Sequence, residues 1–147
     1  MDRGPAVLLT AIVGGLIALQ APINSSLGKS VGTLAAATVS FGIGTLALLA
    51  ITVVAGGFGD LGEVRSVPWH YLAGGLLGAA YVTSVLVTVR SLGAGGVTAA
   101  TIAGQLTASV VIDRFGLLGL DEKPLTLQRL AGVALLAVGT FLVVRGK

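Results

Sequence analysis

Cysteine is absent from this 147-residue chain, and histidine occurs once, at His70. The first absence excludes disulfide bonds, thiolate metal ligands and cysteine nucleophiles. A single histidine excludes a metal site built from several histidines, and no pocket of paired acids suggests itself from the sequence. We therefore expect a protein that is not an enzyme and that uses neither a metal ion nor a cofactor.

Charged residues are also scarce. They form 10% of the chain, apolar residues form 54%, and the mean hydropathy is +1.00. A soluble domain carries about 25% charged residues. The nine Lys and Arg are scattered through short segments, so the net charge of +3 does not predict a nucleic-acid partner. Basic residues beside apolar runs are typical of membrane insertion.

Long apolar runs fill the chain instead. A helical span needs about 20 apolar residues, and runs without strand-like alternation favour helices over a barrel. We predict an all-α membrane protein with one domain, 1–147, and five transmembrane helices at 5–27, 33–55, 69–89, 97–115 and 127–144. The longest connection, 56–68, leaves no room for a soluble lobe.

The basic residues divide almost evenly between the two sides of such a membrane protein. One side carries five: Arg3, Arg65, Arg114, Lys123 and Arg129. The other carries four: Lys29, Arg90, Arg145 and Lys147. An excess of Lys and Arg normally orients a membrane protein, so we expect a chain that inserts both ways up and forms an antiparallel homodimer, equivalent to an inverted repeat. The alternative is that the small bias suffices for one orientation.

Polar residues recur along one face of the fourth predicted span. They are spaced by three, four, four and four residues: Thr98, Thr101, Gln105, Ser109 and Asp113. This spacing places them on one side of a helix, where lipid would oppose them. We predict that they line a substrate pathway. The alternative is that the hydroxyls bond to their own helix and that the Gln105 amide joins two helices.

Asp113 is the only acid attached to the end of a helical face, so any gating or ion coupling is assigned to Asp113 and its neighbour Arg114. A surface ion pair between these two residues is the alternative.

The first span ends with two amide side chains one turn apart, Gln20 and Asn24, on either side of Pro22. Proline removes a backbone donor, so we expect the helix to kink or open there and the two amides to bind a polar substrate. An ordinary helix end at 24–28 is the alternative.

Two further features are assigned from spacing. Tyr81 and Ser84 in the third span line the same cavity, or else serve packing. Gly132 and Gly139 are seven residues apart and form a seam that joins two subunits, or that packs within one subunit.

Several stretches together resemble the drug/metabolite transporter superfamily, in its short five-helix branch of bacterial inner-membrane exporters. They are LQAPIN at 19–24, SFGIG at 40–44, PW at 68–69 with GGLLG at 74–78, and GQL at 104–106 leading to Ser109 and to DRFG at 113–116. The stretch GVALLAVG at 132–139 is similar to the dimerising last helix of small multidrug resistance transporters.

The resemblance implies an alternating-access transporter built from two five-helix halves, as a homodimer, a heterodimer or a fused chain. Small multidrug transporters carry a glutamate in the first helix, whereas this first span has no acid. Arg114 also stands where the resemblance leads us to expect histidine. A cation/proton antiport mechanism is therefore not carried over.

From these observations we expect a subunit of a bacterial inner-membrane transporter that moves a small polar or amphipathic metabolite. The alternative function is a membrane accessory protein that supports a partner and transports nothing.

Overall fold

The computed structural model describes residues 2–146, and within that range the protein is helical, with no strand. Four α-helices follow one another along the chain: α1 (Arg3–Val31), α2 (Thr33–Val54), α3 (Ala73–Phe115) and α4 (Leu127–Arg145). Short 3₁₀ helices occupy the connections at Gly59–Ser66, Trp69–Leu72 and Leu117–Gly119.

Four helical segments are long and apolar enough to cross a bilayer: Arg3–Val31, Thr33–Val54, Trp69–Phe115 and Leu127–Arg145. Their large apolar side chains point outward, as with Val7, Leu46 and Leu135, which are 70%, 68% and 72% exposed. Such a surface suits lipid rather than water. The predicted all-α, multi-pass membrane architecture is therefore confirmed.

The number of helices differs from the expected five, because two predicted spans, 69–89 and 97–115, lie within the single 43-residue helix α3. Gly93 interrupts its helical backbone with φ 70° and ψ 169°. Residues with a Cβ avoid this region, so glycine permits the break. We call 73–92 the first arm of α3 and 94–115 its second arm.

The chain forms two compact units that meet in sequence between Arg90 and Ser91. In the first unit, α1 and α2 form a helical hairpin around Gly32, whose φ of 89° ends α1. A small core joins α2 to the first arm and includes the fully buried Ala36 and Leu86. Gly28 lets both side chains approach α1, since an added Cβ would lie 3.6 Å from Leu86 Cδ2 and 3.7 Å from Ala36 Cβ.

The second unit pairs the second arm with α4. Thr126 caps the start of α4 by accepting a hydrogen bond from the Arg129 backbone N–H at 3.3 Å. Near the start of the second arm, the Ala99 carbonyl accepts a hydrogen bond from Thr140 Oγ1 of α4 at 3.0 Å. Near the end of the second arm, Asp113 pairs with Arg129 at the start of α4. These contacts make the two helices antiparallel.

The end of α1 lies beyond its predicted position at residue 27. The helix continues to Val31, and Asn24 and Gly28 are helical residues. The alternative of a helix end at 24–28 is therefore wrong, because the residue that leaves the helical conformation is Gly32 rather than Gly28.

Candidate functional site

Apart from Asp113 at its end, the polar face of the second arm has no side-chain hydrogen-bond partners among the described residues. Thr101 is half-buried, while Gln105 and Ser109 are exposed. At about 100° per residue, Gln105 lies about 120° around the helix from Ala99, the residue that contacts α4. Gln105 therefore points away from α4, and its amide keeps its hydrogen-bonding capacity for another occupant.

Bonding of hydroxyls to their own helix does occur elsewhere in the chain. Ser84 Oγ donates to the Ala80 carbonyl at 2.8 Å, and Thr107 Oγ1 donates to the Ala103 carbonyl at 2.8 Å. The Ser84 hydroxyl, which we predicted to contact substrate, therefore already donates its hydrogen bond within its own helix. Tyr81, one turn earlier, is 36% exposed, and its hydroxyl has no partner within residues 2–146.

Asp113 at the end of the polar face is held by two cations. Arg129 Nη2 donates to Asp113 Oδ2 at 2.5 Å, and Lys123 Nζ lies 3.6 Å from the same oxygen. The Lys123 backbone N–H also donates to the Asp113 carbonyl at 2.8 Å. The structure pairs Asp113 with these residues rather than with Arg114, which is exposed.

This ion-pair cluster joins the end of the second arm to the connecting segment and to the first turn of α4. Arg129 contributes one guanidinium nitrogen to Asp113, and its other terminal nitrogen, Nη1, is buried without a partner. The carboxylate is neutralised by two positive charges of its own chain, so a cationic solute reaches it only if Arg129 moves away. The sequence did not predict this ion pair, because Arg129 is sixteen residues from Asp113 and no local pattern links the two.

The amide pair of α1 is split between two environments. Gln20 is exposed, whereas Asn24 retains only 6% of its accessible surface. Neither side chain makes a hydrogen bond to a described residue. Pro22 lies between them within continuous helix and leaves the Ala18 carbonyl without its usual intrahelical donor. Asn24 is thus a largely buried residue whose amide makes no hydrogen bond but is not fully enclosed, and a kink at Pro22 stays a prediction.

A cavity of about 420 Å³ opens between α2 and the first arm. Its lining is mainly apolar, with two threonine hydroxyls, and consists of Leu34, Ala37, Thr38, Phe41, Ala79 and Thr83. Phe41 is placed by Gly78, where an added Cβ would lie 3.5 Å from the ring. The sequence interpretation missed this cavity, although the α2 members recur at intervals of a helical face.

The predicted glycine seam of α4 has open space beside it. An added Cβ at Gly132 or Gly139 would have no atom within 4 Å. The close approach between α4 and the second arm lies instead at Gly96, where a Cβ would come 3.7 Å from Val144 Cγ2. Both seam glycines are therefore open to a neighbour outside the unit, and the dimer contact stays a prediction.

The described part of the chain contains no group of three or more His, Cys, Asp or Glu side chains that could hold a metal ion. The candidate site residues can therefore bind a solute only through hydrogen bonds and charge. α1 and the second arm carry amides and hydroxyls without a hydrogen-bond partner, and Asp113 is paired with Lys123 and Arg129.

Comparison with known proteins gives two matches. The family described as "Putative inner membrane exporter, YdcZ" matches residues 5–142. "Inner membrane protein YdcZ" of Escherichia coli (strain K12) is 36% identical over 89 residues, which are 60% of this chain and 58% of that protein. The alignment thus spans less than two thirds of this curated relative. No solved structure matches the chain.

Proposed function

This chain belongs to the YdcZ family of inner-membrane exporters, and we propose that it is one subunit of a transporter that moves a small polar or amphipathic metabolite by alternating access. The family is one of multi-pass inner-membrane exporters rather than enzymes, which supports a membrane transporter role. The observation that carries the proposal is the set of unbonded polar side chains on the second arm, Thr101, Gln105 and Ser109. Polar groups in a spanning segment need protein, water or a solute as a partner.

We propose that the chain crosses the membrane five times, once with each arm of α3. A 43-residue helix has a contour length of about 64 Å at about 1.5 Å per residue. This is about twice the hydrocarbon thickness of roughly 30 Å. The break at Gly93 divides α3 into two arms of span length, which supports two crossings.

Two such chains in opposite orientations would make an inverted pair. Support comes from the near-even division of the basic residues between the two sides, five against four. The open seam at Gly132 and Gly139 supports the same proposal, because small residues let helices of different subunits approach closely. Rocking between two identical, inverted halves would open the solute path to each side in turn.

Within this proposal, Gln105 and Ser109 of the second arm contact the solute, and solute binding by Gln20 and Asn24 of α1 stays a separate prediction. Each of these side chains lacks a hydrogen-bond partner among residues 2–146, so a solute would supply the missing partner. Asp113 acts as a gate through its exchangeable pairing with Arg129.

The test compares metabolites outside cells that express the wild-type chain, the Gln105→Leu variant or no added chain. We expect at least one solute to accumulate outside wild-type cells and to fall to background with Gln105→Leu. Thr107→Val is the matched control on the same arm, since the Thr107 hydroxyl is already bonded to its own helix.

If the Gln105→Leu variant exports that solute like the wild type, the assigned pathway is wrong. If no solute differs and the chain purifies only with a larger membrane protein, the accessory role replaces the transporter.

A further inference from the structure

Small side chains leave a gap between α2 and the first arm of α3. Ala37 is 7% exposed and belongs to the small core that also contains Leu86. One turn further along α2, the Phe41 ring lies against the first arm at Gly78. Ala37 and Ala79 line the space between the two helices and are too small to fill it. The result is the cavity of about 420 Å³, which lies wholly within the first unit.

This cavity has the size and the lining of a small-molecule site. Close-packed interiors contain few voids larger than a water molecule, whose share of the liquid volume is about 30 Å³. Ligand pockets measure about 300 to 1,000 Å³, and their walls are mainly apolar with a few polar groups. The cavity fits this description, because only Thr38 and Thr83 bring polar side chains to an otherwise apolar wall.

One of the two hydroxyls in the lining is available to a ligand. Thr38 Oγ1 already donates to the Leu34 carbonyl of its own helix at 3.0 Å. Thr83 is half-buried, and its hydroxyl makes no hydrogen bond to any described residue. That hydroxyl is also not enclosed by protein atoms. Thr83 therefore offers one hydrogen bond to the occupant of the cavity.

The charge of the walls points to a neutral occupant. Within residues 2–146, no charged side chain lines the cavity. α2 contains no Asp, Glu, Lys or Arg. The one charged residue of the first arm, Arg90, donates from Nη2 to Thr33 Oγ1 at 3.4 Å and is not part of the lining. An ionised group in apolar surroundings without a partner is strongly unfavourable, so a neutral molecule matches these walls in charge.

Phe41 gives the cavity one flat wall. A Cβ added to Gly78 would lie 3.5 Å from Cζ and 3.7 Å from Cε1 of the ring, so glycine lets the ring approach the first arm closely. Phe41 is 38% exposed, and its own chain leaves part of the ring uncovered. Aromatic rings favour offset-stacked or edge-to-face partners. A lipid acyl chain could fill the apolar space, but it has no ring for Phe41 and no hydrogen-bonding group for Thr83.

We infer that this cavity binds a small, neutral, ring-containing molecule with one hydrogen-bonding group, such as a phenol, an alcohol or a ketone. Its polar group pairs with the Thr83 hydroxyl, and its ring packs on Phe41. The inference goes beyond the proposed function and does not rest on it, because binding to the cavity requires no transport.

The test uses the purified full-length protein in detergent, with thymol as the probe. Thymol carries one phenolic hydroxyl, and p-cymene is the same molecule without that hydroxyl. Each compound is titrated at one fixed detergent concentration while the unfolding temperature is followed to saturation. Thr83→Val removes the hydroxyl at nearly constant volume. Thr88→Val is the matched control on the same arm, because Thr88 Oγ1 donates to the Ser84 carbonyl at 2.9 Å and lies outside the lining.

We expect thymol to raise the unfolding temperature of the wild type and of Thr88→Val with the same half-effect concentration. Thr83→Val should need about three- to tenfold more thymol, because a neutral hydrogen bond to the ligand is lost. p-Cymene should act on Thr83→Val as it does on the wild type. If thymol has no saturable effect on the wild type, the inference is overturned. If Thr83→Val responds to thymol like the wild type, the occupant is a hydrocarbon such as a lipid acyl chain, and the inference is wrong.

Ala79→Leu tests the location of binding and keeps the test decisive if Thr83→Val fails to fold. The larger side chain enters the empty cavity rather than a packed core, so we expect the variant to fold and to lose the saturable effect of thymol. Ala80→Leu is the matched control, since Ala80 is exposed and lies outside the lining. An equal response of the two variants to thymol would contradict the inference. These measurements involve no transport, so the proposed function and this site can fail separately.

Discussion

Arg129 in the first turn of α4 donates to Asp113 near the end of α3, and this ion pair spans the connection between the two helices. The pair occupies the only acid on the polar face of the second arm. The Asp113 carboxylate is therefore not free, because it is bonded to Arg129 and links the end of α3 to the start of α4.

We predict that Asp113 and Arg129 act as a unit. Asp113→Asn and Arg129→Gln should each lower the unfolding temperature of the purified protein by a few degrees. The double variant should fall no further than the worse single variant, because residues that share one interaction are not additive. Arg114→Gln is the control and should unfold like the wild type, since Arg114 is exposed. Simple addition of the two single effects would contradict the pairing.

Gly93 should tolerate no side chain. Its φ of 70° and ψ of 169° lie in a region that is essentially restricted to glycine. Gly93→Ala should therefore destabilise the protein by about 1 to 3 kcal/mol, measured by unfolding in denaturant. Gly95→Ala is the matched control, because its Cβ would only make ordinary contact with Val143 at 4.0 Å. Equal stability of both variants would show that the break at Gly93 is not required.

The proposed two crossings of α3 predict that its break lies at the membrane surface. The chain has no native cysteine, so a single Gly95→Cys substitution can be probed with a water-soluble maleimide. We expect labelling close to that of Ser66→Cys in the α2–α3 connection. Leu46→Cys, within α2, is the unlabelled control. If Gly95→Cys is as unreactive as Leu46→Cys, α3 does not cross twice.

Helical, multi-pass architecture could be predicted from the sequence because it depends on the length and composition of each apolar run, which are local properties. The bounds of α2 and α4 agree with the predicted spans to within one residue. The continuity of α3 could not be predicted in this way. A short polar or glycine-containing stretch such as 90–96 can form either a loop or a bent helix, and the backbone angles at Gly93 decide between them.

The candidate site shows the same limit. Spacing alone placed Gln20 and Asn24 on one helical face, yet packing against neighbouring helices buries Asn24 and leaves Gln20 exposed. The contact of Arg90 with Thr33 joins residues 57 positions apart. No local pattern marks such a pair, because it forms only when the first arm packs against the α1–α2 hairpin.

The proposed inverted pair is tested most directly by the orientation of the chain. A single Gly146→Cys substitution places a thiol at the end of α4, where a membrane-impermeant maleimide can reach it from only one side. In intact cells about half of the copies should be labelled, and the remainder only after the membrane is opened, because five basic residues on one side and four on the other give little orienting bias. Labelling of all copies from one side would contradict the antiparallel homodimer.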